Sequence, residues 1–214
     1  MSEVTLHGYW RSSAAYRVRI ALHLKGLSFA QVTHDLRAGA QRDAGYLALA
    51  PHGLVPAIEY EDTVLIESPA ILEWIDARWP SPALVPASLT DAAVVRAMAA
   101  LIACDIHPLN NLRVLQTLRS DFGGSEAQLH RWIARWIEAG FTALEALIAR
   151  HGGDFAFGDA PTLADCYLVP QVYNAERYDL DLSAFPRIRS AAETAGAMPA
   201  FAAAHPAMQP DADG

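Results

Sequence analysis

The sequence predicts an α/β domain over residues 1–82, ordered βαβ then ββα, followed by an all-α domain over residues 90–214. Short β-prone runs alternate with helical periodicity in the first part, whereas the second is Ala- and Leu-rich, helical in period and without a convincing strand. The Pro-rich stretch "WPSPALVPAS" between them has the composition of a linker.

The elements follow in order. "VTLHGYW" is extended in character. Residues 13–25 then place Val18, Ile20, Ala21, Leu22 and Leu24 on a broad apolar arc, with Arg19 and His23 opposite and Gly26 as the stop. "LSFAQVTHDL" fits a second strand, and "RAGAQRDAGYLALAP" is irregular or briefly helical. "LVPAIEY" and "TVLIE" form a hairpin about Glu61 and Asp62. "SPAILEWIDARWP" is a helix with Ser68 at its N-cap, Pro69 at its first position and Pro80 beyond its end. At least four helices are expected in the second domain: about 90–119 with Pro108 inside, about 125–150, about 162–177 and a final one near 184–196. Thr162 and Asp165 have capping-box spacing, so their expected role is folding. The tail "HPAMQPDADG" is expected to pack poorly.

The chain of 214 residues is 52% hydrophobic, enough to bury a substantial core. A net charge of −8 and no Lys/Arg cluster argue against nucleic-acid binding. The N-terminus has no positive segment followed by an apolar run, and no apolar stretch has spanning length, so a cytoplasmic protein without membrane association is expected. Cys104 and Cys166 lie far apart in apolar helical patterns and read as buried free thiols, not as a redox pair or zinc ligands.

Three constellations carry chemistry. Ser12 and Ser13 sit where a strand gives way to a helix. A cap explains one of them, but the positive helix end also favours an anion or a thiolate, and a hydroxyl there lowers a thiol's pKa. Serine hydrolysis is set aside, because no G-x-S-x-G elbow is present and nothing brings a histidine to Ser12. Val55 before Pro56 is biased to extended backbone, either as an ordinary edge or as a place where an extended ligand pairs. Glu67 and Ser68 head a second helix, where amides and a hydroxyl can hold a carboxylate while the acid attracts an ammonium group; an N-cap beside a solvated acid is the alternative.

Strand, "RSSAAYRVRIALHLKG", X-Val-Pro, "ESPAI" and a helical domain with "TLAD" resemble a cytosolic glutathione transferase with a thioredoxin-like N-terminal domain. "RSS" with "RVRIAL-LKG", "HPLNNL", "DCYLVPQV" and "NAERY" is similar to the zeta class, which contains maleylacetoacetate and maleylpyruvate isomerases. The likeness spans nearly the whole chain. It implies glutathione as cofactor, with Ser12 stabilising its thiolate beside Ser13, Val55 pairing with the cysteinyl backbone, and Glu67 and Ser68 holding the γ-glutamyl head. Gln41 and His52 would reach the glycyl end or the cysteinyl backbone. His107 and Asn111, four apart and so able to share one helix face, would contact the peptide bound to the neighbouring subunit of a homodimer. Where members of the class commonly read S-S-C, this chain has Ala14, so the reactive sulfur must arrive with the ligand.

The implied reaction is isomerisation of a dicarboxylate, maleylpyruvate or maleylacetoacetate, to its fumaryl isomer by reversible thiolate addition to the double bond. Arginine forks suit the substrate carboxylates. Arg11 lies beside the serine pair, Arg177 in "NAERY" matches a family arginine near substrate, and Arg113 in "NNLRV" is equally readable as a solvated helix charge. The alternatives are a transferase conjugating electrophiles and, outside enzymes, a noncatalytic glutathione-binding interaction protein.

Overall fold

The computed structural model describes residues 3–213, which divide into two compact units. The first comprises the residues up to Leu84 together with those from Ala197 onward; Val85–Gly196 form the second. The expected helical domain ran to 214, whereas the closing segment belongs with the α/β unit.

In the α/β unit, β1 (Val4–Gly8), α1 (Ser13–Leu24) and β2 (Phe29–Thr33) form a parallel crossover. The chain then makes a 3₁₀ turn at Ala40–Arg42 and the short helix α2 (Ala44–Leu49). An antiparallel hairpin of β3 (Ala57–Tyr60) and β4 (Thr63–Ile66) leads into α3 (Ser68–Arg78), and the sheet order is β2-β1-β3-β4. Leu6 and Ile58 oppose each other in the central pair and are wholly buried. Their neighbours His7, Ala57 and Glu59 take the other face by the two-residue period, where Tyr46, Ala50 and Ala57 build a smaller core.

Helix α1 corrects the expected polar stripe: every residue from Ser13 to Leu22 is buried, including Arg17 and Arg19. The reason lies at the far end of the chain. Helix α9 (Pro199–Ala204) packs on α1, and Arg19 Nε donates to Ala204 O at 3.0 Å. The tail is accordingly ordered: Phe201, Ala204, Pro206 and Gln209 are buried.

The second unit is helical. Its α4 (Leu89–Ala100) does not continue to 119. It passes into a π-helical turn at Leu101–Ile106, a 3₁₀ turn at His107–Asn110 and then α5 (Leu112–Ser120). Pro108 lacks the N–H that an uninterrupted α-helix needs, so the α-helical hydrogen-bond ladder is not continued through it. Cys104, expected buried, is exposed on the π turn, whereas Cys166 is buried. Helices α6 (Glu126–His151), α7 (Leu163–Glu176) and α8 (Pro186–Gly196) complete the unit. Gly140 of α6 admits close approach by the π turn, since a β-carbon there would overlap the end of Ile106. The Thr162 capping box is present, and Asp165 accepts from the Thr162 amide at 2.8 Å and the Ala156 amide at 2.9 Å.

Candidate active site

The head of α1 is built by Ser12. Its backbone is extended, its oxygen accepts from the Ala15 amide at 3.2 Å, and its own amide closes a turn by donating to Tyr9 O at 3.0 Å. Ser13 is the first helical residue and is buried. Arg11, half-buried, holds its guanidinium 5.4 Å from the Trp10 ring centre. Because the cap uses Ser12 Oγ as an acceptor, the hydroxyl proton stays available to a second partner at the positive end of the helix.

Val55 precedes the paired part of β3, and the Val55–Pro56 bond is cis. Glu67, not Ser68, is the N-cap of α3; Ser68 and Pro69 are its first helical residues. Glu67 adopts φ 68° and ψ 113°, a conformation that costs a non-glycine residue roughly 1–3 kcal/mol and recurs where ligands are held. Its exposed carboxylate lies 3.7 Å from His52 Nε2. Ser68 is buried, and its Oγ accepts from Arg17 Nη1 at 3.2 Å. Two further atoms at the expected positions, Gln41 Oε1 and His52 Nδ1, are buried with no hydrogen-bond partner among the described residues.

In the helical unit, the π and 3₁₀ turns mean that His107 and Asn111 do not share a regular α-helical face. Asn111 instead caps α5, its side chain accepting from the Arg113 amide at 3.2 Å, and the Arg113 side chain is exposed. Arg177, at the C-cap of α7, is exposed and lies 5.9 and 5.5 Å from the Tyr173 and Tyr178 ring centres. Among the described residues no carboxylate pairs with Arg11, Arg113 or Arg177.

Residues 11–78 match the family described as "Glutathione S-transferase, N-terminal domain", and residues 126–194 match "Glutathione S-transferase, C-terminal domain". A bacterial maleyl pyruvate isomerase, solved in holo form and described as a zeta-class glutathione-S-transferase, superposes with a TM-score of 0.96 at 46% identity, over 98% of this chain and 100% of the other. The chain belongs to the zeta class of glutathione S-transferases. A maleylacetoacetate isomerase of Pseudomonas aeruginosa is 49% identical over 96% of this chain and 97% of its own length. A maleylacetoacetate isomerase of Anaeromyxobacter dehalogenans 2CP-1, solved with bound dicarboxyethyl glutathione and citrate, has a TM-score of 0.90 at 42% identity, covering 99% of this chain and 94% of that one.

The residues of this zeta-class chain fit glutathione on physical grounds. A zwitterionic peptide with two carboxylates needs backbone pairing, a cationic or amide-rich cradle and an acid for its ammonium group. The unpartnered atoms of Gln41 and His52, the head of α3 and the exposed Glu67 carboxylate have those properties. Buried polar atoms that lack an internal partner are costly unless something else satisfies them. Neither Arg17 nor His7 is singled out by the sequence; His7 Nε2 lies 2.7 Å from Glu59 Oε1 and its Nδ1 3.0 Å from His34 Nε2. Burial, followed by the His7 charge, lowers the pKa of His34. These partners are remote in sequence, and no spacing rule reaches them.

Proposed function

We propose that this protein is a glutathione-dependent cis–trans isomerase converting maleylpyruvate or maleylacetoacetate to the fumaryl isomer, acting in the cytoplasm as a homodimer. The observation that carries this reading is the divided use of Ser12: the oxygen caps α1 while the proton is left to donate. When bound, glutathione supplies a thiolate that adds reversibly to the conjugated double bond, letting the resulting single bond turn before elimination returns the trans alkene.

Ser12 donates to the sulfur and favours its ionised form, with Ser13 as its supporting neighbour. Val55 pairs through its backbone with the cysteinyl part. Glu67 attracts the ammonium group and Ser68 takes the carboxylate of the γ-glutamyl end; Gln41 and His52 take the glycyl end or the cysteinyl backbone. Arg11, Arg113 and Arg177, unpaired with any carboxylate among the described residues, hold the substrate carboxylates and place positive charge where negative charge develops. His107 and Asn111 contact the peptide in the neighbouring subunit. Likeness to isomerases named for each of the two substrates supports the substrate class.

The test is an ultraviolet assay of both substrates with and without glutathione. Isomerisation that needs glutathione without consuming it is expected. If neither substrate turns over, the reading fails. Glutathione loss with halogenated aromatics would then assign a conjugating transferase, and binding without any turnover would assign a noncatalytic binder. Within the active enzyme, Arg177→Met is expected to raise KM for the dicarboxylate about tenfold while leaving glutathione affinity nearly intact. An unchanged KM would return Arg177 to the role of a solvated charge.

A further inference from the structure

The segment from Ala197 onward does more than cover α1. Asp211 Oδ2 accepts from the Trp10 amide at 3.0 Å. The Trp10 carbonyl is held from the other side by Arg19 Nη2 at 2.9 Å, and the same guanidinium holds Ala204 O through Nε at 3.0 Å. Arg19 is 1% exposed, so this fork is fixed inside the unit. Gln209, also buried, donates to Ala203 O at 3.0 Å and His205 O at 2.8 Å and accepts from Gln31 at 3.1 Å, bracing the tail on itself and on β2. Asp213 pairs with Arg37, whose guanidinium lies 5.8 Å from the Tyr9 ring centre.

Both peptide groups of Trp10 are thus held, one by Asp211 and one by Arg19. Those two planes lead directly into Arg11 and Ser12, and the turn from Tyr9 to Ser12 is closed by the Ser12 amide. We propose that the C-terminal tail is a clamp on the loop between β1 and α1, with Asp211 and Arg19 as positioning residues that set where Arg11 and the Ser12 hydroxyl sit. The inference rests on the assignment of Ser12 as the thiolate's partner. Phe201 and Ala204 bury apolar side chains, whereas the carboxylate of Asp211 is directed at the loop backbone.

The discriminating variants are Asp211→Ala, which removes the acceptor, and Asp211→Asn, which removes the charge but keeps an acceptor oxygen. Measured are thermal unfolding, kcat, KM for glutathione, and the pKa of bound glutathione from thiolate ultraviolet absorbance. With Asp211→Ala, kcat is expected to fall about tenfold and the bound thiol pKa to rise, with a nearly unchanged melting temperature. Asp211→Asn restores both values toward those of the parent. A chain ending at Pro210 should behave as Asp211→Ala does. If only the charge mattered, the Ala and Asn variants would lower the thiol pKa together, because a negative charge near the sulfur had been removed; that result overturns the clamp. Parent-like kcat and thiol pKa in both Asp211→Ala and the shortened chain also overturn it. Ser12→Ala is measured alongside: a raised thiol pKa there with a silent Asp211→Ala sinks the clamp alone, whereas an unchanged thiol pKa in Ser12→Ala sinks the Ser12 assignment and the clamp with it.

Discussion

In the proposed mechanism Ser12 meets two demands with different parts of one hydroxyl: its oxygen accepts from the Ala15 amide, and its proton is assigned to the ligand sulfur. Ser12→Ala is therefore expected to cost about 1 kcal/mol of stability as a lost cap. The larger effect is on chemistry, a fall in turnover of about a hundredfold at neutral pH, as for loss of one well-placed donor. The alkaline direction of the shift follows from the sign: a donor stabilises the thiolate, so its loss raises the thiol pKa and moves the rising limb of the pH–rate profile upward. An unmoved limb would remove Ser12 from the mechanism. A second residue-scale expectation concerns Arg17, whose bond to Ser68 Oγ spans 51 positions. With that oxygen occupied as an acceptor, the Ser68 proton is left to donate. Arg17→Lys should raise KM for glutathione several-fold and leave KM for the dicarboxylate unchanged, and coupling with Ser68→Ala in a double-mutant cycle should approach about 1 kcal/mol. Additive effects would show that the bond positions nothing. The placement of the serine pair, Val55, and Glu67 with Ser68 at element boundaries was legible because those boundaries are written in local sequence. The bond of Arg17 was not, since Ser68 is brought near only by folding.

At the scale of elements, the strands and helices of the α/β unit were legible because period and punctuation agree there: Gly26 stops α1 and Pro69 stands in the first turn of α3. Helix α4 ends at Ala100, short of the predicted 119, because the backbone accommodates Pro108 through a π turn and a 3₁₀ turn that the helical apolar period does not reveal. The burial of Arg19 was illegible for another reason: the helix that covers it is nearly two hundred positions away, with its contact spanning 185 residues. Helix α7 supplies the prediction at this scale. Burial raises the Asp165 carboxyl from 3.8 to about 6, against the lowering effect of its bonds from Thr162 and Ala156. Between those values the folded state binds the extra proton, so this group's contribution falls as pH rises from about 4 to about 6 and is constant above. Asp165→Asn removes the titration and turns an amide N–H₂ toward donors, which should cost about 1–3 kcal/mol at pH 7. The stability advantage of the parent over the variant, followed by denaturant unfolding, should shrink across that pH window by on the order of 2–3 kcal/mol. An advantage that grows across the window would mean that the hydrogen bonds outweigh burial.

At the scale of the whole molecule, the proposed roles fall unevenly on the two units. The residues proposed for a subunit's own glutathione, Ser12, Gln41, His52, Val55, Glu67 and Ser68, all lie in the α/β unit, whereas Arg113 and Arg177, with the His107 and Asn111 proposed to reach the neighbouring subunit's peptide, lie in the helical one. Cofactor binding should consequently be written into the stability of one unit before the other. At free glutathione about a hundred times its dissociation constant, mass action adds about 2.7 kcal/mol to whatever unfolds together with the site. Hydrogen exchange resolves which segments those are. Protection is expected to rise in the first turn of α1, around residues 52–57 and at the head of α3. Helix α7, whose cap is closed by Thr162, Asp165 and Ala156 of its own unit, should change less unless the two units open as one block. Equal protection in α7 and α1 would establish a single cooperative unit, in which glutathione stabilises the substrate arginines' scaffold as well as its own site. No added protection at α1 or α3 would contradict the assignment of both helix heads to glutathione, however active the enzyme proved to be.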